Sequence, residues 1–234
     1  MRTRLVSVIT VAAALATLAC EGRTSGFLTT GPTTGARVRL INALTPSQTL
    51  DFVVDGQIAS SGVAFGAASS YVSVSLASHQ LAARAATTGT TLVDFTRDLT
   101  AEGAFSLVPA PGLAQSGALF LTDDPTPVSG QARLRIVHVA ALPGAVSVYV
   151  TAPTAEISSA TPAVPSLSFG TASGYVQVAP GTYRVRVTRA GSPSDVVVDL
   201  GTLTVGAGSV RTLLVTDAPG GGLPTSLSVV SDAG

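Results

Sequence analysis

Apolar and polar residues alternate along much of this chain, in short runs broken by Gly and Pro. In 36–54, Val38 and Leu40 fall on one side of an extended strand and Arg37 and Arg39 on the other; past a turn at Pro46, Leu50, Phe52 and Val54 share an inward side. A period of two lets a strand bury one face and wet the other. The pattern returns in 132–150, where Leu134 and Ile136 oppose Arg133 and Arg135 and, after Pro143, Val146, Val148 and Val150 point inward. The arginine pairs are expected on a solvated face that keeps the sheets soluble and discourages edge pairing.

These segments head two copies of one unit. The block Phe-Gly-x-Ala-Ser-x-Tyr-Val-x-Val occurs at 65–74 and again at 169–178, with seven identities in ten positions, so the chain is a tandem repeat. In the second copy the block leads through Ala179-Pro180-Gly181 into a strand at 182–188, with Tyr183, Val185 and Val187 opposite Arg184 and Arg186; the first copy has Ser78-His79 at that turn. Further strands are predicted at 91–95, 104–108 and 117–122 in the first copy and at 195–200, 209–216 and 226–230 in the second. Asp55-Gly56 marks a tight turn, and the proline-bearing insertion 152–166 reads as a surface loop. Roughly seven short strands per copy, without a helical period, predict an all-β fold of two tandem Ig-like antiparallel β-sandwich domains.

The expected divisions are a leader at 1–19, a cysteine and flexible tether at 20–35, a first sandwich at 36–124, a linker at 125–130 and a second sandwich at 131–234. Asp123-Asp124-Pro125-Thr126-Pro127 joins the copies as a short polar stretch partly stiffened by proline. Each copy is expected to fold as its own unit, pinned by Phe65 or Phe169 turned inward between the sheets just ahead of a glycine.

Composition narrows the function. Charged residues are only 11% of the chain, with thirteen basic and thirteen acidic side chains in balance. The basic residues are all arginine and are spread out, so no clustered basic face for nucleic acid is present. One cysteine cannot make an internal disulfide or a multi-thiolate metal site, and no cofactor is implied.

That cysteine has a telling position. Arg2 and Arg4 precede an apolar run at 5–18, too short for a spanning helix of about 20 residues, and small Ala19 stands before Cys20: the three parts of an export signal. Thr17-Leu18-Ala19-Cys20 resembles the lipobox of bacterial lipoproteins, which implies a diacylglyceryl-modified Cys20, cleavage before it and acylation of the new amine. Several acyl chains give stable anchoring where one gives marginal binding. By the same resemblance, Glu21 in the next position implies the outer membrane of a diderm bacterium, with the Gly/Thr-rich tether lifting the folded part clear of the lipid. The alternatives are a plain secretory signal with a stray cysteine, or a buried free thiol.

Ala-Arg-x-Arg with its apolar strand, His138 at the end, the Val-x-Val-Tyr-Val strand and Gly174-Tyr175-Val176-x-Val178-x-Pro180-Gly181-Thr182-Tyr183 resemble the bacterial domain of unknown function 4397. The resemblance covers 36–232 and departs in the first copy, where Asn42 replaces the usual His and His79 the turn glycine. It implies surface-exposed Ig-like sandwiches in tandem and carries no catalytic residues.

Few residues are candidates for chemistry. His138 shares the inward phase of Leu134 and Ile136, where a lone histidine is expected to be satisfied by loop backbone; His79 is expected in a turn without a partner. No serine sits in a Gly-x-Ser-x-Gly elbow. Asp123 and Asp124 lie where sandwich arrays sometimes hold calcium, but they are few for an ion needing six to eight oxygens. With no Trp, Tyr149 is the one aromatic expected outward for stacking on sugar. The expected function is a non-enzymatic envelope lipoprotein serving as scaffold, adhesion or partner-binding module, its partners the membrane through Cys20 and an envelope protein or polysaccharide. The alternative is a carbohydrate- or envelope-polymer-binding module, with hydrolysis less favoured.

Overall fold

The computed structural model describes residues 35–44, 48–113, 117–218 and 225–232. The leader expected at 1–19, Cys20 and most of the expected tether lie outside the described residues. The first copy supplies β1 (Ala36–Leu40), β2 (Leu50–Val54), β3 (Gln57–Val63), β4 (Val72–Val74), β5 (Ser78–Ala85), β6 (Thr91–Asp98), β7 (Gly103–Pro109) and β8 (Ala118–Asp123). The second supplies β9 (Ala132–His138), β10 (Val146–Thr151), β11 (Val164–Leu167), β12 (Thr171–Ala172), β13 (Val176–Val178), β14 (Gly181–Arg189), β15 (Val196–Val205), β16 (Val210–Thr216) and β17 (Ser226–Ser231).

Each copy forms two sheets. In the first, an inner sheet runs β4-β1-β7-β8 and an outer sheet β3-β2-β5-β6; in the second, β12-β9-β16-β17, with β13 also on β9, faces β11-β10-β14-β15. The alternation does what was expected of it: Val38, Leu40, Leu50, Phe52 and Val54 meet between the sheets of the first copy, and Ile136, Val146, Val148, Val185 and Val187 between those of the second. Among the described residues pairing is antiparallel with one exception per copy, since β7 runs parallel to β1 and β16 parallel to β9. The last hairpin of each copy reaches the inner sheet after crossing from the outer one, so its first strand lies alongside the opening strand in the same direction.

Some expectations need correcting. The insertion is not all loop: it holds a short 3-10 turn at Ile157–Ser159 and ends in edge strand β11. Strand β3 was not expected, because its Gln-Ile-Ala-Ser-Ser-Gly-Val has almost no buried face to leave a period in the sequence. Phe65 and Phe169 are half-buried rather than central. Neither ring belongs to an apolar cluster between its own sheets.

A third buried cluster lies between the copies. Ile41, Ala43, Val108 and Ala110 of the first copy pack with Val137, Val139, Leu214 and Val230 of the second, joined by Leu119 and Leu121. These residues come from the two inner sheets and the segments that prolong them, so the four sheets stack outer, inner, inner, outer. Two copies expected to be separate units joined by a linker therefore share a core.

Candidate binding site at the junction of the two copies

The repeated block builds this junction. In both copies its glycine takes a φ of 73°, which suits a residue without a Cβ. The Gly66 and Gly170 N–H groups donate to the Asn42 and His138 carbonyls at 2.8 Å. Three residues on, Ser69 and Ser173 donate from the backbone to the Leu40 and Ile136 carbonyls, again at 2.8 Å. Their hydroxyl oxygens accept the N–H groups of the same two residues at 3.0 and 2.9 Å. The block is thus a strap laid across the end of the first strand, and its far end delivers Tyr71 or Tyr175 to the face that meets the other copy. A Cβ on Gly66 would strike the Ser228 side chain, and one on Gly170 would stand 3.2 Å from Leu113 Cδ2, so each strap abuts the opposite copy.

The arginines expected in water are found here: Arg39 and Arg135 are 1% and 2% exposed, because the other copy covers the face they occupy. They cross. Arg39 Nη2 lies 2.6 Å from Asp232 Oδ1, and Arg135 Nη1 lies 2.8 Å from Asp123 Oδ1, so each copy's guanidinium reaches the other's carboxylate. Each carboxylate is also held at home. Asp123 accepts from the Tyr71 hydroxyl at 2.6 Å and from Ser106. Asp232 accepts from Thr212 at 2.7 Å and from Tyr175 at 3.3 Å. Arg39 stands over the Tyr71 ring at 4.5 Å and Arg135 over Tyr175 at 5.0 Å.

A buried charge is stable only when paired and hydrogen-bonded. The nearest carboxylate to each guanidinium lies in the other copy, while the contact at home is longer, Arg39 Nε to Asp123 Oδ2 at 3.6 Å and Arg135 Nη2 to Asp232 Oδ2 at 4.0 Å. Burial, reinforced by Asp123, pushes the Tyr71 phenol far above its ordinary value. Burial and Asp232 push Tyr175 up to about 12 against the opposing pull of Arg135. Burial works against the Arg135 charge, but Asp123, Tyr175 and Asp232 outweigh it and hold its pKa up.

The pseudo-twofold match breaks at the margin. Arg133, the second copy's outer arginine, donates to the Asp124 carboxylate at 2.6 Å, to the Thr126 carbonyl at 2.9 Å and to the Asp124 carbonyl at 3.2 Å. That contact holds the Asp124 carboxyl down at about 2. Its counterpart Arg37 is exposed, and among the described residues no carboxylate lies within ion-pairing distance of it. Its guanidinium stands 5.3 Å from the Tyr71 ring centre, in a cleft of about 630 Å³ between the first copy's strap and β17. Arg37, Ser69, Ser70 and Tyr71 form one wall, Val229 and Ser231 the other, and Arg39 crosses between them to the Ser231 carbonyl at 2.9 Å.

The other sequence candidates lie away from this cleft or are spoken for. His138 is fully buried; its Nε2 lies 2.6 Å from the Gly144 carbonyl, the loop backbone expected of it, while its buried Nδ1 has no hydrogen-bond partner among the described residues. Burial lowers its pKa. Asn42 serves the matching position, donating to the Gln48 and Val63 carbonyls at 2.8 and 2.9 Å.

His79 is not a partnerless turn residue. It opens β5, is 3% exposed, and lies 2.7 Å from Asp55 Oδ2 and 3.0 Å from the Ser75 carbonyl, with the Ser75 hydroxyl at 3.4 Å. The set has the composition of a catalytic triad but not its geometry. The nitrogen that would take the serine proton stands nearer the Ser75 carbonyl, at 3.0 Å, than the Ser75 hydroxyl, whose 3.4 Å is beyond the reach of a serine–histidine hydrogen bond. Asp55, at φ 50°, spends its other oxygen on the Gln80 N–H at 2.9 Å, and the group clamps the β2–β3 turn to β5.

Asp123 and Asp124 are committed to arginines, and among the described residues no group of three or more His, Cys, Asp or Glu is placed to hold a metal ion. Tyr149 is not an outward platform but 3% exposed, cross-strand from Arg186, which donates to the Ala155 carbonyl of the insertion at 2.7 Å.

Sequence reasoning missed Asp232, Ser106, Thr212 and the two block tyrosines. A signal existed: both copies end on an apolar residue, a hydroxyl residue and an aspartate, Leu121-Thr122-Asp123 and Val230-Ser231-Asp232.

Fold and junction define a tandem β-sandwich protein whose copies dock through their inner sheets. The family model described as "Domain of unknown function (DUF4397)" matches residues 36–149 and 151–233, and the chain belongs to that family. No curated protein matches it. Among solved structures it is similar to a family 26 carbohydrate-binding module from Eubacterium rectale Amy13K, crystallised with maltoheptaose, at 9% identity over 82% of this chain and 95% of that one, with a TM-score of 0.26. It is also similar to family 41 carbohydrate-binding modules from streptococcal virulence factors that recognise alpha-glucan, at 12% identity over 79% of this chain and 95% of that one, with a TM-score of 0.25. Likenesses at that level carry no functional argument.

Proposed function

We propose that this chain is a non-enzymatic binding module of the cell envelope, held by an acylated Cys20 on the outer membrane of a diderm bacterium. In this reading the tether at 20–35 carries the paired sandwiches, and the Arg37–Tyr71 cleft meets an envelope protein. The observation that carries the binding reading is the cleft itself, with the exposed Arg37 guanidinium and Ser70 on a wall built against the buried ion pairs. Rigid walls with convergent polar groups are what ligand sites are made of. A protein partner is favoured over a polysaccharide because the tyrosines offer poor platforms: Tyr149 is buried, and Tyr71 and Tyr175 lie beneath arginines.

A photo-reactive residue at Ser70, on the cleft wall, should cross-link an envelope component in cells, and Arg37→Gln should abolish the adduct. The same group at Ile58, exposed on the first copy's outer sheet, should give none. Equal adducts at both places, or none at Ser70, would contradict the reading. For the anchor, Cys20→Ala should block fatty-acid labelling and leave the precursor uncleaved; membrane retention with normal maturation would refute it. Steady ester, peptide or glycoside turnover abolished by Ser75→Ala would show an enzyme instead.

A further inference from the structure

The two margins of the junction are built alike, yet one is filled and the other open. At the filled margin Arg133 lies over the Tyr175 ring at 4.5 Å and grips the extended segment that leaves β8: one carboxylate oxygen and two backbone carbonyls. The Tyr175 hydroxyl accepts the Asp124 N–H at 3.3 Å. What Arg133 and Tyr175 hold is therefore a peptide: an aspartate followed by Pro125 and Thr126. At the open margin the same pair recurs as Arg37 and Tyr71, related to Arg133 and Tyr175 by the repeat, with exposed Ser70 beside them and the exposed Val229 as an apolar rim.

We infer that the Arg37–Tyr71 cleft binds an extended, aspartate-bearing peptide segment of a partner protein, in the way the chain's own linker occupies Arg133 and Tyr175. This rests on the binding reading above and names its ligand class. The chemistry is that of the internal example. A planar guanidinium takes a carboxylate and carbonyls in one fork, where an ammonium would give a point charge. The Tyr71 hydroxyl is already spent on Asp123, so the carboxylate goes to Arg37 and not to the phenol.

The test uses the full chain in detergent and a synthetic peptide Thr-Asp-Asp-Pro-Thr-Pro, the sequence of residues 122–127, titrated by calorimetry or by NMR shifts. Saturable binding is expected, weakened at least tenfold by Arg37→Gln, less by Arg37→Lys, and not by Arg184→Gln on the outer sheet. Replacing the peptide's second Asp with Asn should cost a similar factor. Arg37 is exposed, so the variant should melt with the parent, which separates lost binding from lost folding. No saturable binding, binding indifferent to Arg37→Gln, or displacement by an oligogalacturonate more readily than by the peptide would each overturn the assignment. If the Ser70 adduct forms in cells while the peptide fails, the binding reading stands and the ligand class proposed here is wrong.

Discussion

The core inside each copy and the core between the copies are made by the same strands with opposite faces. On β1, Val38 and Leu40 turn into an entirely apolar space, while Arg39, and Ile41 just beyond the strand, turn toward the other copy. The inner cores tolerate any close-packed apolar set of the right volume. The layer between copies does not, because Arg39 and Arg135 have their closest carboxylates, Asp232 and Asp123, in the opposite copy. The apolar part of that layer holds the copies together, and the crossed ion pairs fix one relative placement. With that placement fixed, the Arg37 margin has a defined shape.

The largest effects should come from breaking a crossed pair on one side. Asp232→Ala takes from buried Arg39 its closer partner, leaving only Asp123 at 3.6 Å, and should cost roughly 3 to 5 kcal/mol in denaturant unfolding, whereas Arg39→Met with Asp232→Leu should recover most of that loss. An equal cost for the single and double variants would show that charge pairing is not what the layer needs.

Within one copy, Phe52→Ala, at a fully buried position, should cost about 3 to 5 kcal/mol through the cavity it leaves. Half-buried Phe65 or Phe169 changed to Ala should cost less than half of that, read from the same unfolding curves.

Alkali should separate the two cores again. Tyr71 and Tyr175 have pKa values raised above the ordinary 10.0 in the folded state, so the stability tied to their neutral phenols is complete below pH 10 and is lost as pH rises, for Tyr175 through about 12. Melting temperature should fall more steeply above pH 10 in the parent than in a Tyr71→Phe, Tyr175→Phe variant.

The smallest difference lies at the margins. Arg133→Gln should cost up to about 1 kcal/mol and Arg37→Gln nothing measurable. Asp124 has its pKa lowered from 3.8, so its contribution is present above that value and fades as pH falls through about 2, modestly because the carboxylate is half exposed.

The sequence was most legible where one face of a strand is apolar and the other polar. That sufficed for the opening strands, the repeat and the sandwich class. It misread the polar face, since alternation says that Arg39 and Leu40 point opposite ways but not what covers the arginine. A second copy of the same sheet covers it, and only the repeated Tyr of the block and the Asp that ends each copy hinted at partners. Polar edge strand β3 left no period to read. His79 was misplaced because its partners, Asp55 and Ser75, come together only when the hairpin closes. Tyr149 kept an outward phase yet is buried, its cross-strand neighbour Arg186 tied to the insertion.

Cooperativity of unfolding tests the shared core most directly. Calorimetry of the parent, of Phe52→Ala in the first copy and of Val148→Ala in the second should each show one transition, with both substitutions shifting the whole of it downward. Two transitions, of which Phe52→Ala moves one and Val148→Ala the other, would mean that the copies fold separately and that the crossed arginines do not bind them into a unit.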